Sequence, residues 1–188
     1  ILLEKPVADG VTEGRKLLDI VNQAGVRMIV GHHRRFDPAA RSAHEILNTG
    51  KIGNLQAVTA TWAVRKHDLY FDAEWRRVEG GGPVLLNLIH DIDMLRHLCG
   101  EIATVYAELS SQARGHEVED TAAIIARFQS GALATIIVSD ATPSPWGWEF
   151  ATGENPQMPA SGENCYQFMG TKGSFGFPHI QLWHHEDT

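Results

Sequence analysis

Three short runs of residues carry side chains suited to binding a ligand. They are Glu4-Lys5-Pro6, the run from Gly31 to Pro38 (G-H-H-R-R-F-D-P), and the glycines 80–82 that lead to His90-Asp91-Ile92-Asp93. Lys5 stands where a strand of a parallel sheet would end, and open α/β sheets bind ligands at the carboxyl ends of their strands. The first run therefore predicts a lysine that faces a ligand.

The third run predicts a polar helix face beside a point of close approach. Asn87, His90 and Asp93 follow one another at intervals of three residues, so they share one face of a helix. The glycine triplet has no side chains, which lets a ligand or a second backbone approach closely. Each group also has an ordinary structural interpretation. A lysine before a proline can be a solvated loop charge, and a single histidine on an apolar helix can be a hydrogen-bonded core residue.

Ten histidines also raise the question of a metal site. The adjacent pairs His32-His33 and His184-His185 point to opposite sides of an extended chain and cannot easily chelate one ion together. His90 and Asp93 supply two ligands on one helix face, but no third ligand follows at helical spacing. We therefore expect no metal.

The first 33 residues predict one βαβ unit, which would place Lys5 at a sheet edge. Gly14, Leu17, Leu18 and Val21 recur at helical spacing, and Gly25 is suited to end that helix. The run 26–30 is short and apolar, as in a buried strand. With the strand end before Lys5, this pattern indicates the last βαβ unit of a dinucleotide-binding domain of the Rossmann type.

Residues 34–188 predict a second, α+β domain. Helices are expected from Pro38 to Asn48 and from Pro83 to Cys99, separated by a strand over 55–64 and a loop over 66–82. Turns at Ser130-Gly131 and Lys172-Gly173 suggest hairpins. The remaining strand-like runs are 104–109, 121–128, 132–138, 148–152, 165–169 and 174–177. They predict an open, mainly antiparallel sheet with helices on one face.

Composition excludes several classes of protein. The chain has 188 residues, 43% of them hydrophobic, and its 16 basic and 23 acidic side chains give a net charge of −7. This acidity argues against nucleic acid as a partner, and no apolar run is long enough to span a membrane. The two cysteines are far apart, as is typical of free thiols in the reducing cytoplasm. The chain lacks a starting Met and opens at a strand end, so we expect a fragment.

Taken together, the motifs resemble those of the glucose–fructose oxidoreductase / inositol dehydrogenase (Gfo/Idh/MocA-type) family of nicotinamide-dependent dehydrogenases. That family carries E-K-P at the end of a Rossmann strand, G-x-x-x-R-F-x-P after the last strand, and a glycine-rich turn before a helix with H-x-x-D. The matching residues here are Glu4-Lys5-Pro6, Gly31 to Pro38, Gly80-Gly81-Gly82 and His90 to Asp93. The resemblance implies a C-terminal domain like that of dihydrodipicolinate reductase.

Two departures from the family pattern stand out. The G-x-G-x-x-G fingerprint of the dinucleotide site is missing, since the chain begins near the end of that domain. Family members usually place an Asp four residues before the histidine, where this chain has Leu86, with Asn87 beside it. Asn87 can orient a substrate hydroxyl or the imidazole, but it cannot supply the negative charge that would raise the pKa of His90.

The resemblance implies roles for named residues. His90 is the expected general base for an alcohol proton, Lys5 the group that stabilises alkoxide charge, and Asn87 an orienting residue. Glu4, Lys5 and Pro6, with Trp75-Arg76, are expected against NAD or NADP. Trp75-Arg76 could instead be loop packing. Asn87, Asp93 and Arg35 are expected to contact substrate, although Arg35 could instead be structural.

The implied activity is hydride transfer between the nicotinamide cofactor and a secondary alcohol of a sugar, polyol or cyclitol. The alternative is a non-catalytic dimerisation or ligand-sensing domain that keeps the fold. Val58, Ala60 and Trp62 on one side and the apolar 122–137 region suggest a sheet that is apolar on both faces. Such a sheet needs a second cover, so we expect a homodimer through it, as in the family. The fragment alone is expected to bind dinucleotide poorly.

Overall fold

The first unit is a short parallel pair of strands joined by a helix. In a computed structural model, which describes residues 1–185, β1 (Leu2–Leu3) pairs in parallel with β2 (Ile29–Val30). The intervening α1 spans Val11–Gln23, and Gly25 follows it with φ +62°, a left-handed conformation that glycine adopts without strain. The predicted βαβ arrangement is present. The Lys5–Pro6 bond that follows β1 is cis.

Two further helices belong to the second unit. Helix α2 (Pro38–Asn48) begins with Asp37, whose carboxylate accepts the Ala39 N–H at 2.7 Å and so caps the helix N-terminus. Helix α3 (Ile89–Cys99) ends at Gly100, which has φ +87°. Both helices follow the predicted bounds, except that the segment before α3, Val84–Leu88, forms a π-helical turn.

The second unit is built on one seven-stranded sheet in the order β4-β5-β6-β3-β7-β8-β9. All neighbouring strands are antiparallel except β3 and β6, which are parallel. The predicted mainly antiparallel α+β fold is confirmed. The strands are β3 (Leu55–Ala63), β4 (Ile102–Ser110), β5 (Thr121–Phe128), β6 (Leu133–Ser139), β7 (Tyr166–Gly170), β8 (Gly173–Phe177) and β9 (Gln181–His184).

The sequence pattern predicted the wrong secondary structure for one element and did not predict another element at all. Residues Trp148–Thr152, predicted as a strand, form the short helix α4, because Gly153 ends the turn with φ +69° and Trp148 and Ala151 bury one face. Trp148 packs against Phe177 at 5.6 Å between ring centroids. Strand β9 was not predicted, because Gln181–His184 is exposed along its whole length. The predicted loop 66–82 contains two 3₁₀ turns.

The two faces of the sheet differ in cover. Val58, Ala60 and Trp62 of β3 lie on the inner face, where they are at most 2% exposed within the core. The outer face carries partly or fully exposed large apolar side chains from five of the seven strands, and polar residues such as Thr59, Thr135 and Gln167 lie between them. The large apolar residues on this face or at its rim are Tyr106, Ile125, Leu133, Ile137, Met169 and Trp183, beside the small residues Ala57 and Ala123. The 122–137 region therefore contributes to both faces. No helix in the described 1–185 is long and apolar enough to cross a membrane.

Candidate functional site

The π-helical turn before α3 receives the lysine that follows β1. The Nζ atom of Lys5 donates to the backbone carbonyl oxygen of Leu86 at 2.8 Å, although 81 residues separate them in the chain. Burial, with Arg34 nearby, lowers the pKa of Lys5. The structure thus brings the Glu4-Lys5-Pro6 run into contact with the turn that leads into the helix of His90. Leu86, which replaces the family aspartate, contributes its backbone here rather than its side chain.

Asn87, the next residue, contacts a second lysine that sequence reasoning missed. Lys66 Nζ donates to Asn87 Oδ1 at 2.7 Å and lies 3.6 Å from Asp140 Oδ2. The Lys66 side chain is only 11% exposed. Burial lowers the pKa of Lys66 to about 8, although Asp140 opposes this effect. Lys66 follows the end of β3 just as Lys5 follows β1, and that position was the signal that could have found it.

His90 lies among other cationic and imidazole groups. Its ring stands edge-on to those of His32, at 5.7 Å between centroids, and His33, at 5.4 Å. The Nδ1 atom of His90 is buried and has no hydrogen-bond partner among the described residues. Burial, together with Arg34 and Lys5, lowers the pKa of His90 to about 3. The imidazole is therefore neutral at physiological pH, with an unused ring nitrogen.

Arg34 anchors the helix that carries His90. Its guanidinium donates to Asp91 Oδ2 at 3.3 Å and to Glu149 Oε1 at 2.8 Å, and Glu154 Oε2 lies 3.8 Å from its Nε. It also lies 5.3 Å from the centre of the Trp148 ring. Arg34 is 4% exposed, and Tyr166 completes the network by donating its hydroxyl to Asp91. Burial raises the pKa of Asp91 to about 6 even though Arg34 opposes it.

Arg35 and Asp93, both predicted to contact substrate, bind each other. Arg35 Nε donates to Asp93 Oδ2 at 2.7 Å, and a second guanidinium nitrogen donates to Oδ1. His32 Nδ1 is 3.8 Å from the same carboxylate. This two-point pairing occupies the Asp93 carboxylate, as in a structural salt bridge between α3 and the 3₁₀ turn His33–Phe36. The structure therefore supports the structural alternative for Arg35.

Trp75 and Arg76 lie in the second 3₁₀ turn of the loop before the glycine triplet. Trp75 is 53% exposed, whereas the Nε atom of Arg76 is buried without a hydrogen-bond partner among the described residues. The Arg76 guanidinium lies 3.9 Å from the centre of the Tyr70 ring and donates to the Tyr70 carbonyl oxygen at 2.6 Å. A Cβ atom on residue 81 would lie only 2.7 Å from Arg76 Cα. Gly81, which has no Cβ, therefore allows a close backbone approach, as predicted.

The remaining predicted residues, Glu4 and Pro6, flank Lys5 at the end of β1. The Glu4 carboxylate lies over Gly31 at the end of β2, where a Cβ would approach its Oε1 to 3.2 Å. In the described part of the chain, no three His, Cys, Asp or Glu side chains are grouped as a metal ion would require. Both cysteines are free thiols, and burial raises the pKa of Cys99 to about 12. Neither thiol is suited to nucleophilic chemistry.

Comparison with known proteins places this geometry in a family. Residues 40–176 match the model of the GFO/IDH/MocA C-terminal domain. The chain is 32% identical over 142 residues to an uncharacterized oxidoreductase, YrbE, of Bacillus subtilis, covering 72% of this chain and 40% of that protein. It is 30% identical over 142 residues to the myo-inositol 2-dehydrogenase of Thermotoga maritima, covering 72% of this chain and 41% of that enzyme. The chain thus spans about two fifths of the length of these relatives.

Solved structures agree with this placement. The WlbA dehydrogenase of Bordetella pertussis, solved with NADH and UDP-GlcNAcA, superposes with a TM-score of 0.81 at 25% identity, covering 100% of this chain and 56% of that one. A levoglucosan dehydrogenase, solved with NADH and levoglucosan, has the same fold, with a TM-score of 0.79 at 23% identity over 100% of this chain and 51% of the other. The chain belongs to the GFO/IDH/MocA family.

Proposed function

We propose that the whole protein is an NAD(P)-dependent dehydrogenase acting on a secondary alcohol of a sugar, polyol or cyclitol. The observation that carries this proposal is the contact of Lys5 with the turn that leads to a neutral His90, whose buried Nδ1 has no hydrogen-bond partner among the described residues. A neutral imidazole can accept the proton of an alcohol, and a lysine cation can stabilise the alkoxide. Relatives that include a myo-inositol 2-dehydrogenase support the substrate class.

Each residue has a chemical task in this proposal. The substrate hydroxyl binds between Lys5 and His90, and His90 accepts its proton as the carbon is oxidised, a contribution of roughly 10²–10⁴-fold in rate. The Lys5 ammonium stabilises the negative charge that develops on the oxygen. Burial, Arg34 and the Lys5 charge together lower the pKa of His90 and so keep the imidazole unprotonated before the reaction. Asn87 orients the substrate beside Lys66.

The cofactor would be held partly by this chain. NAD or NADP supplies the hydride acceptor when bound. Glu4, Lys5 and Pro6 stand at the carboxyl end of β1, and the half-exposed Trp75 ring, next to Arg76 in the chain, offers a flat apolar surface. This surface fits a nicotinamide ring. We assign residues 1–33 to the dinucleotide-binding domain and 34–188 to the substrate and dimerisation domain.

The full-length protein tests this function directly. Incubation with NAD or NADP and a panel of sugars, polyols and cyclitols should reduce the cofactor with at least one of them, and His90→Ala should abolish most of that turnover. A full-length protein that binds such a ligand but reduces no cofactor with any of them would favour the non-catalytic, ligand-sensing alternative. The 188-residue chain alone should show no tight NAD binding in calorimetry, because its sequence contains no G-x-G-x-x-G phosphate-binding turn.

We further propose that the protein is a cytoplasmic homodimer that buries the outer face of the sheet. Ile125 and Ile137 are 52% and 43% exposed on neighbouring strands, and exposed large apolar side chains of this kind favour association. Ile125→Asp should convert the dimer to a monomer in sedimentation, whereas Ile20→Asp on the exposed side of α1 should not. A wild-type monomer at micromolar concentration would contradict the proposal.

A further inference from the structure

Lys66 and Arg76 converge on one aromatic ring beside the candidate site. Lys66 Nζ lies 4.5 Å, and the Arg76 guanidinium carbon 3.9 Å, from the centre of the Tyr70 ring. The Trp62 ring, on the inner face of the sheet, lies 5.9 Å from Lys66 Nζ. The two cations therefore share one aromatic wall, although each repels the other.

The carboxylates nearby do not balance these charges. Asp140 is the buried carboxylate close to Lys66, yet Arg114 Nε already donates to it at 2.9 Å, and a second Arg114 nitrogen donates to its backbone oxygen. Asp68, the other acidic neighbour of Arg114, is 3.8 Å away and its side chain is 88% exposed. Lys66 and Arg114 thus share Asp140, whereas Arg76 has no carboxylate oxygen within 4 Å among the described residues, so its positive charge is not balanced by a direct contact.

Donors also remain unused at this position. An ammonium group has three N–H donors. Lys66 uses one on Asn87 at 2.7 Å, and Asp140 at 3.6 Å is beyond hydrogen-bond distance. Arg76 donates from one terminal nitrogen to the Tyr70 carbonyl, while its buried Nε has no partner among the described residues. Burying cations with unused donors is costly unless a ligand completes them.

We propose that Lys66 and Arg76 bind an anionic group, a carboxylate or a phosphate, carried by the sugar, polyol or cyclitol substrate. This inference rests on the proposed function and narrows its substrate class from neutral to acidic carbohydrates. Asn87 links the two parts of the site, since it contacts Lys66 and precedes His90 by three residues, about one helical turn. In this proposal one sugar or cyclitol unit carries both groups, with its reacting hydroxyl at His90 and its anionic group at Lys66 and Arg76.

Calorimetry on the full-length protein loaded with NADH tests the inference. The probes are D-glucose, D-glucuronate and D-glucose 6-phosphate, with myo-inositol and a myo-inositol monophosphate as a second scaffold. At least one anionic probe should bind roughly tenfold or more tightly than its neutral counterpart, and its binding should weaken as salt is added. Comparison of glucuronate with the 6-phosphate tells a carboxylate from a phosphate. Equal affinity for neutral and anionic probes on both scaffolds would overturn the inference.

Variants assign the effect to the named residues. Lys66→Met should weaken the anionic probe about tenfold more than it weakens the neutral probe, whose binding changes only through the lost contact of Lys66 with Asn87, and Arg76→Gln should act in the same direction. Lys51→Met, which removes an exposed lysine, is the matched control, and circular dichroism checks the fold of each variant. If Lys66→Met weakens NADH as much as it weakens the sugar anion, the cations serve the cofactor and the inference is wrong.

Turnover measured alongside separates this inference from the proposed function. Lys66-dependent binding of an anionic probe without any cofactor reduction would refute the dehydrogenase and leave the anion site standing. If instead wild type and Lys66→Met both reduce the cofactor as efficiently with neutral polyols as with their anionic counterparts, the dehydrogenase would stand and the anion site would be refuted.

Discussion

Arg34 and Lys66 both contact the segment that carries His90, but their charges are balanced very differently. Arg34 is surrounded by Asp91, Glu149 and Glu154, which together exceed its own charge. Lys66 has an amide, one shared carboxylate and two aromatic rings. Removing a buried cation whose charge is balanced leaves its carboxylates unpaired and destabilises the fold, even though the Nε atom of Arg34 itself has no hydrogen-bond partner among the described residues. A buried cation whose charge is not balanced instead costs stability and is retained for what it binds. Arg34 therefore belongs to the structural scaffold, whereas Lys66 belongs to the candidate site.

The largest expected effect is on the scaffold. Arg34→Met should lower the free energy of unfolding by about 3–5 kcal/mol, because it leaves the carboxylates of Asp91 and Glu149 without their buried counter-charge. Denaturant unfolding of the variant measures the loss, and Arg15→Met, which removes an exposed arginine of α1, is the control. A loss no larger than that of the control would show that the carboxylates do not depend on Arg34.

In the sequence, His90 lies between Asn87 and Asp91, the residues that Lys66 and Arg34 contact, and its replacement should affect turnover rather than stability. His90→Ala should lower kcat of the full-length protein roughly a hundredfold or more, while dinucleotide affinity stays nearly unchanged, because the base acts in the transition state. Lys5→Met should reduce both turnover and substrate affinity. Steady-state kinetics with the active polyol gives both constants. A His90→Ala variant with the wild-type rate would place the base elsewhere.

The pH dependence should distinguish the cations that act on His90. Its pKa is lowered to about 3 by burial and by Arg34 and Lys5, so alcohol oxidation should keep its rate as pH falls through 6.5, the ordinary pKa of histidine. Lys5→Met should move the acid limb of kcat/KM to higher pH, whereas Lys66→Met should not, since Lys66 is absent from the groups that shift His90. Identical acid limbs in the two variants would contradict this distinction.

The same shift predicts a loss of stability in acid. Neutral His90 is favoured in the folded chain, so its contribution is complete above pH 6.5 and is lost as pH falls from 6.5 toward about 3, where the unfolded chain binds the proton first. His90→Gln should therefore lose less stability than wild type between pH 7 and pH 4. Denaturant midpoints at the two pH values measure the difference. An equal loss in both proteins would show that His90 is solvated.

The smallest effect has the opposite sign to the first. Lys66→Met should raise the free energy of unfolding by about 1 kcal/mol at pH 7, because the folded chain holds Lys66 charged although burial lowers its pKa to about 8. Asp140 keeps Arg114 as its partner, so no carboxylate is left unpaired. Thermal unfolding with Lys51→Met as control measures the gain. A clear loss of stability would place Lys66 in the scaffold with Arg34.

Local sequence patterns were sufficient for most of the fold. Asp37-Pro38 marks the start of α2, and glycines mark the ends of α1 and α3, because caps and left-handed residues depend on near neighbours. Trp148–Thr152 was predicted as a strand because aromatic and β-branched residues favour strands. Its helical turn depends instead on packing of Trp148 against Phe177 of β8, which is remote in sequence.

The candidate site was harder to predict from the sequence than the fold, because it also depends on partners that are remote in the chain. The motifs indicated Lys5, Asn87 and His90, and the structure brings these to one segment. They did not tell Arg34 from Arg35, since the choice depends on Asp91, Glu149 and Asp93, which lie 57 or more residues away. Nor did they indicate Lys66, whose partners Asn87 and Asp140 come from other elements. A motif can be recognised from neighbouring residues, whereas the partners that balance a charge come from elements remote in the sequence.

The π-helical turn at Val84–Leu88 has a consequence for how this segment can vary in length. A π turn holds one more residue than the α-helical turn it replaces, so it behaves as a single-residue insertion. Deleting Leu88, at the end of the turn, would restore the α-helical period and rotate the residues before it, with the Leu86 carbonyl, by about 100° relative to His90. Lys5 would then lose its acceptor. Length changes here are therefore coupled to the first unit of the chain.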